Sequence, residues 1–136
     1  MKTLALDIGD VWTGTALSDA LGMFAKPYQT AETKKLTAFL RDLFAKENIQ
    51  KIIIGHPRTM KGTSSDQTKK VEEAKLKLEK EFPDKTFLLW DERLSSKRAD
   101  ALKKAVTKEE KIKSHSIAAA FILESYLQFA RPLEIE

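Results

Sequence analysis

The first apolar run, Leu4-Ala5-Leu6-Asp7-Ile8, is hydrophobic at every position but one, carries a single carboxylate near its end, and is followed by Gly9. A strand buried on both faces reads this way, and an ionised aspartate inside such a run is costly unless something pairs with it. Gly9 suits a sharp turn, and Trp12 to Asp19 resumes a strand-like pattern, so the chain is expected to return antiparallel as a hairpin. Leu21-Gly22-Met23 then turns into Phe24 to Thr30, a third strand that Pro27 assigns to a sheet edge because proline cannot donate to a ladder on both sides. Helical spacing takes over at Thr33, placed to cap a helix through about Asn48 with Leu36, Phe39, Leu40, Leu43 and Phe44 on one face.

The second half alternates strand and helix. Lys51-Ile52-Ile53-Ile54, bounded by Gly55, reads as a central parallel strand reached by a helical crossover, and Gly55 to Thr63 as the loop after it. Ser64 to about Phe82 is a solvated helix with a narrow stripe of Val71, Ala74, Leu78 and Phe82, ended by Pro83. Thr86 to Trp90 is a second buried strand that terminates in Asp91-Glu92-Arg93. Ser95 or Ser96 is placed to cap a short helix through Val106, and Thr107 to Lys113 reads as a charged, mobile connection. The last helix is expected from Ser114, with Ala119, Ile122, Leu123, Tyr126, Leu127 and Ala130 on its apolar stripe, His115 facing inward at its start and a peripheral tail from Arg131. The order predicts an α/β fold: a five-stranded mixed sheet, an antiparallel meander of three strands plus two parallel strands, with helices on both faces. The strands ending at Ile8, Ile54 and Trp90 then lie side by side, with their carboxyl ends on the edge where open α/β sheets bind ligands.

At 136 residues the chain has the size of one domain, spanning 1–136. No run approaches the eighteen or so apolar residues of a membrane span, and the first residues lack a signal-peptide layout, so a cytoplasmic protein with no membrane partner is expected. With Cys 0, thiolate metal sites and disulfides are excluded; a metal would be held by carboxylates, histidine or carbonyls, which points to Mg²⁺ or Mn²⁺. A net charge of +4 tilts the partner toward a polyanion such as nucleic acid.

The chemistry-bearing residues gather on that edge. Asp7, the Asp91-Glu92-Arg93 triplet and His115 can approach one another there, and converging acids without sulfur suit one or two divalent cations that activate water in phosphodiester hydrolysis. Alternation admits only one of Asp91 and Glu92 to the side of Asp7, and the sequence leaves open which. Arg93 would neutralise the other acid or hold a phosphate, His56 and Arg58 could contact phosphate, and Lys61-Gly62-Thr63 resembles an anion-cradling approach to a helix. The simpler readings are an Asp7 that only accepts turn N–H groups, a surface ion pair at 91–93, a solvated His56, and Lys-rich stretches that are solvated helix faces.

Leu4 to Gly9 with Gly14 to Asp19, Gly55 to Thr63, Trp90 to Ser96, and Ala118 to Leu127, in this order and spacing, resemble the YqgF family, also called RuvX-like. The resemblance implies an RNase H-like fold, a divalent-metal nuclease, and maturation of the 5′ end of precursor small-subunit (16S) ribosomal RNA; Holliday-junction resolution is the older reading of the family. It implies Asp7 and Glu92 as metal-binding acids with Asp91 as helper, and His56, Arg58 and Arg93 in substrate-facing motifs. His115 stands where family members usually carry an aspartate before the final helix, so it is expected as a catalytic ligand or base that binds Mg²⁺ more weakly. Asp10-Val11-Trp12 stands where the family tends to carry a basic residue, with Asp10 expected to shape the turn, the alternative being a replacement carboxylate. Precursor rRNA is the expected partner, structured DNA the second, with a monomer or homodimer as the assembly. The rival readings are a non-catalytic nucleic-acid binder that lost the third acid, a structural ribosome-assembly partner, and an actin-like or sugar-kinase phosphate loop at Asp7 to Thr15, which would need a second domain.

Overall fold

The computed structural model of the protein describes residues 1–57, 66–92 and 104–135, with side chains through 130. The strands are β1 (Lys2–Ile8), β2 (Trp12–Ser18), β3 (Ala25–Glu32), β4 (Ile49–His56) and β5 (Thr86–Asp91), and the helices α1 (Leu36–Lys46), α2 (Asp66–Glu81) and α3 (Lys108–Ile135). They build one five-stranded sheet in the order β3-β2-β1-β4-β5. β1 and β2 pair antiparallel, as do β2 and β3, while β1–β4 and β4–β5 are parallel. This is the expected meander continued by two parallel strands, with Pro27 on the edge strand β3.

The pleat sorts the two cores. Leu4, Leu6, Ile8, Ile52, Ile54 and Phe87 meet α1 and α2 through Leu40, Leu43, Val71 and Leu78. On the other face Ala5, Ala16 and Ile53 meet α3 through Ala119, Ile122, Leu123 and Tyr126. The residues under α3 on β1 and β2 are small, so a long helix can lie close to the sheet.

Several boundaries differ from expectation, each for a local reason. Thr33 does not cap α1: it opens a 3-10 turn (Thr33–Lys35), and its hydroxyl donates to Gly9 O at 2.7 Å while contacting Thr13 Oγ1 at 2.9 Å. Its hydrogen-bonding capacity is spent on the β1–β2 turn. The last helix begins at Lys108, not Ser114, and the stretch expected to be a mobile connection is its first two turns. Thr107 Oγ1 accepts from Glu110 N at 3.0 Å and Glu110 Oε2 accepts from Val106 N at 3.1 Å, a variant of the capping box. Arg131 to Ile135, expected as an aperiodic tail, continue α3. The short helix expected after Ser95 lies mostly outside the described residues.

Candidate nuclease site

Register and pleat decide which side chains meet at the carboxyl ends of β1, β4 and β5. On β1 Leu6 and Ile8 point toward α1 and α2, so Asp7 between them projects with Ala5 to the α3 side, where it is 4% exposed. On β4 Ile54 belongs to the α1–α2 core, so Gly55 lies on the α3 side, one residue beyond the Leu6↔Ile54 pair and therefore beside Asp7. A Cβ on Gly55 would stand 2.6 Å from Glu92 Oε1 and 2.8 Å from Ile122 Cδ1. The Glu92 side chain thus lies over Gly55, from the β5 side. The question left by strand alternation is answered for the protein: Glu92 shares the face of Asp7, while Asp91, register partner of His56, occupies the position alternation assigns to the α2 face.

Gly14 does for β2 what Gly55 does for β4. It is the ladder partner of Asp7, and a Cβ there would overlap the carbonyl of His115. The α3 backbone is therefore seated directly on β2 next to Asp7. Thr30 Oγ1, donating to Ile112 O at 2.7 Å, ties the preceding turn of the helix to β3. His115 is half-buried two turns into α3, where the sequence had it at the helix start. The two spacing glycines escaped the sequence reading as site residues; a glycine closing an Ile-rich strand is the signal, since it marks a close approach of other groups.

His56 is not in a loop. The β4–β5 ladder runs on through Gly55↔Trp90 and His56↔Asp91, so His56 is the last residue of β4, on the α2 face, and is buried. Its Nε2 lies 2.9 Å from Glu72 Oε1 of α2. This partner fastens α2 to the strand end, helped by Gln67 Nε2, which donates to Ile8 O at 3.0 Å, and by Thr68 Oγ1, which donates to Pro57 O. Asp10 is exposed in the β1–β2 turn and ion-paired with Lys70 Nζ at 3.1 Å. Arg58, Lys61 and Arg93 lie outside the described residues.

Among the described residues no three acidic or histidine side chains group so as to hold an ion between them. A hard divalent cation taking one or two protein carboxylates and completing its shell with water and substrate phosphate needs no larger set. Asp7 and Glu92, on one face with a side-chain-free residue between them, fit Mg²⁺ or Mn²⁺ in donor chemistry.

The fold has solved counterparts. The T. thermophilus RuvC in complex with Holliday junction substrate superposes with a TM-score of 0.59 at 11% identity, covering 95% of this chain and 96% of that one. The Thermus thermophilus RuvC structure gives 0.55 at 11%, over 96% and 97%. The fold is RNase H-like. Curated relatives are nearer in sequence. The "Putative pre-16S rRNA nuclease" of Rubrobacter xylanophilus is 34% identical over 93% of this chain and 92% of its own length. That of Flavobacterium psychrophilum is 34% identical over 93% and 96%, and that of Fusobacterium nucleatum 33% over 96% and 99%. The model of one family, described as "RuvX: Holliday junction resolvase", matches residues 1–129, and the chain belongs to that family.

Proposed function

We propose that this protein is a divalent-metal-dependent nuclease that hydrolyses phosphodiester bonds at the 5′ end of precursor 16S rRNA, a role exercised in the cytoplasm. The observation that carries the reading is the placement of Asp7 and Glu92 on one sheet face, flanking Gly55. These two carboxylates would hold Mg²⁺ or Mn²⁺, which when bound supplies an activated water and neutralises charge on the leaving oxygen. Burial of Asp7 keeps solvent from competing for its oxygens. His115, on the helix seated beside Asp7, offers a neutral nitrogen where an aspartate would offer a charge, and serves as a third ligand or as the base that takes a proton from water. Arg58, Lys61 and Arg93 would meet substrate phosphates. His56, paired with Glu72, would act by holding α2 against the strand ends. The names of the curated relatives support the rRNA substrate.

The family description supports a second reading, resolution of a four-way DNA junction, for which a homodimer would match the two-fold symmetry of the substrate. A monomer suffices for trimming an RNA end. The test is cleavage of a labelled precursor rRNA fragment and of a four-way DNA junction with Mg²⁺, Mn²⁺ or EDTA, comparing wild type, Asp7→Asn and His115→Ala. Metal-dependent cutting of the RNA that disappears in Asp7→Asn is the expected result. A Mn²⁺ preference lost in His115→Ala assigns His115 to the metal. Binding without cutting under every metal would overturn the nuclease reading in favour of a non-catalytic binder.

A further inference from the structure

The sheet edge next to Glu92 carries aromatic surface that the carboxylate pair does not use. Trp90, on the α3 face of β5, precedes Glu92 by two residues, and Glu92 follows directly on the last residue of the strand. Its ring centroid is 5.3 Å from that of Tyr126 at 90° and 5.2 Å from that of Phe129 at 49°. The indole nitrogen donates to Ser125 Oγ at 3.1 Å, which fixes the plane of the ring. Tyr126 is buried, but Phe129 is 58% exposed and Trp90 half-buried. Beyond them Lys51 Nζ lies 3.1 Å from Tyr126 Oη and 5.6 Å from the Tyr126 ring centroid. Among the described residues β5 is the last strand of the sheet, and none of the described strands lies beyond this row.

A single exposed aromatic residue is ordinary. What distinguishes this one is sequence along a line: the Glu92 carboxylate, a hydrogen-bonded indole, an exposed phenyl ring leaning on it, and an ammonium group. Every nucleobase has a π face, so aromatic side chains beside a cation hold single strands with little regard to sequence. The row is continuous with the carboxylate pair, and its positive end complements phosphate.

We infer that Trp90 and Phe129 form a stacking platform for unpaired nucleobases of the strand leading away from the Asp7–Glu92 pair, with Lys51 supplying positive charge at its far end. This rests on the nucleic-acid reading above and deepens it: the substrate is single-stranded beside the cut. A duplex, whose bases already stack on one another, has no free faces to offer.

The test is binding in EDTA, where no strand is cut, of a short labelled single-stranded RNA and of a duplex of the same length. Wild type is compared with Phe129→Ala, Phe129→Leu and Phe129→Tyr. Phe129→Ala and Phe129→Leu are expected to weaken single-strand binding roughly 5- to 100-fold, Phe129→Tyr to keep it, and the duplex to bind all four alike. Equal loss on both nucleic acids, no loss at all, or full binding by Phe129→Leu would overturn the platform. So would a dimer seen in sedimentation that Phe129→Ala dissolves, which would give the patch to a second copy of the chain. Absence of cleavage under any metal would sink the nuclease reading alone, since binding in EDTA is measured independently. Failure of wild type to bind either RNA would overturn both.

Discussion

Substituting Gly55 by alanine should damage the chemistry far more than the fold, and the size of each effect follows from what the new methyl meets. It would stand 2.6 Å from Glu92 Oε1, 3.0 Å from Glu92 Cγ and 2.8 Å from Ile122 Cδ1. Ordinary contacts relax near ~3.5 Å, so the carboxylate must withdraw by about 1 Å. Glu92 yields by rotating its flexible end, at about 0.5–1.5 kcal/mol for an off-rotamer torsion. Ile122 is fully buried and yields less readily, at about 1–3 kcal/mol of overpacking. Restriction of the unfolded chain by alanine returns about 0.4–1 kcal/mol. The net loss is about 0.5–4 kcal/mol, a Tm drop of roughly 2–15 °C for a chain of this size. A displacement of about 1 Å at a reacting centre costs on the order of 100-fold in rate. Single-turnover cleavage and thermal unfolding, measured on one preparation, separate the two. The double variant Gly55→Ala with Ile122→Val removes the Cδ1 contact, so it should recover most of the stability and none of the rate. Wild-type cleavage by Gly55→Ala would refute the placement of Glu92 or its use, and a Tm loss beyond about 15 °C would refute the claim that the neighbours can give.

Gly14→Ala should fail differently, because its methyl overlaps the His115 carbonyl, which no side-chain rotation can move. The helix must lift, at about 3 kcal/mol or more, read as a Tm fall above roughly 10 °C or as insoluble protein; a normal Tm would refute the seating of α3 on β2. Asp7→Asn should leave stability unchanged or raised, because a carboxylate only 4% exposed loses its charge; a clearly lower denaturant midpoint would show that the charge supports the fold. Asp19 Oδ1 accepts from Phe24 N at 3.0 Å and Met23 N at 2.7 Å, and these N–H groups, that of Phe24 foremost, hold its carboxyl below the usual 3.8. A depressed folded-state value stabilises fully above 3.8 and is lost as pH falls through the lower value, so the Tm gap between wild type and Asp19→Ala should close on acidification; a gap independent of pH would count against the charge. His115→Asp should shift metal preference toward Mg²⁺ in cleavage titrations, and loss of activity with both metals would mean that the imidazole itself is needed.

The topology was legible because the strands carried different patterns: an apolar run interrupted by Asp7, an edge marked by Pro27, an Ile-rich centre. Helix boundaries were less so, because they turn on single hydrogen bonds. Thr33 has the residue type of a cap, yet Gly9 O, distant in sequence and near in space, claims its hydroxyl. Thr107-Lys108-Glu109-Glu110 was open to reading as a capping box, but its run of charge resembled a connection.

The site divided along the same line. That an acid from the 91–92 pair would join Asp7 followed from strand order; which acid it was depended on the register between β4 and β5 and on the absence of a side chain at Gly55. That absence also explains why His56 and Glu92, both drawn in sequence toward one phosphate-binding edge, part company in space. The pleat continues through Gly55, so His56 turns to α2 and finds Glu72, while Glu92, from the next strand, fills the opening that Gly55 leaves on the α3 side. One glycine in a parallel strand therefore sorts the polar residues at this edge into a structural pair beneath the sheet and a carboxylate pair above it. A functional site of this kind is specified as much by where side chains are missing as by which ones are present.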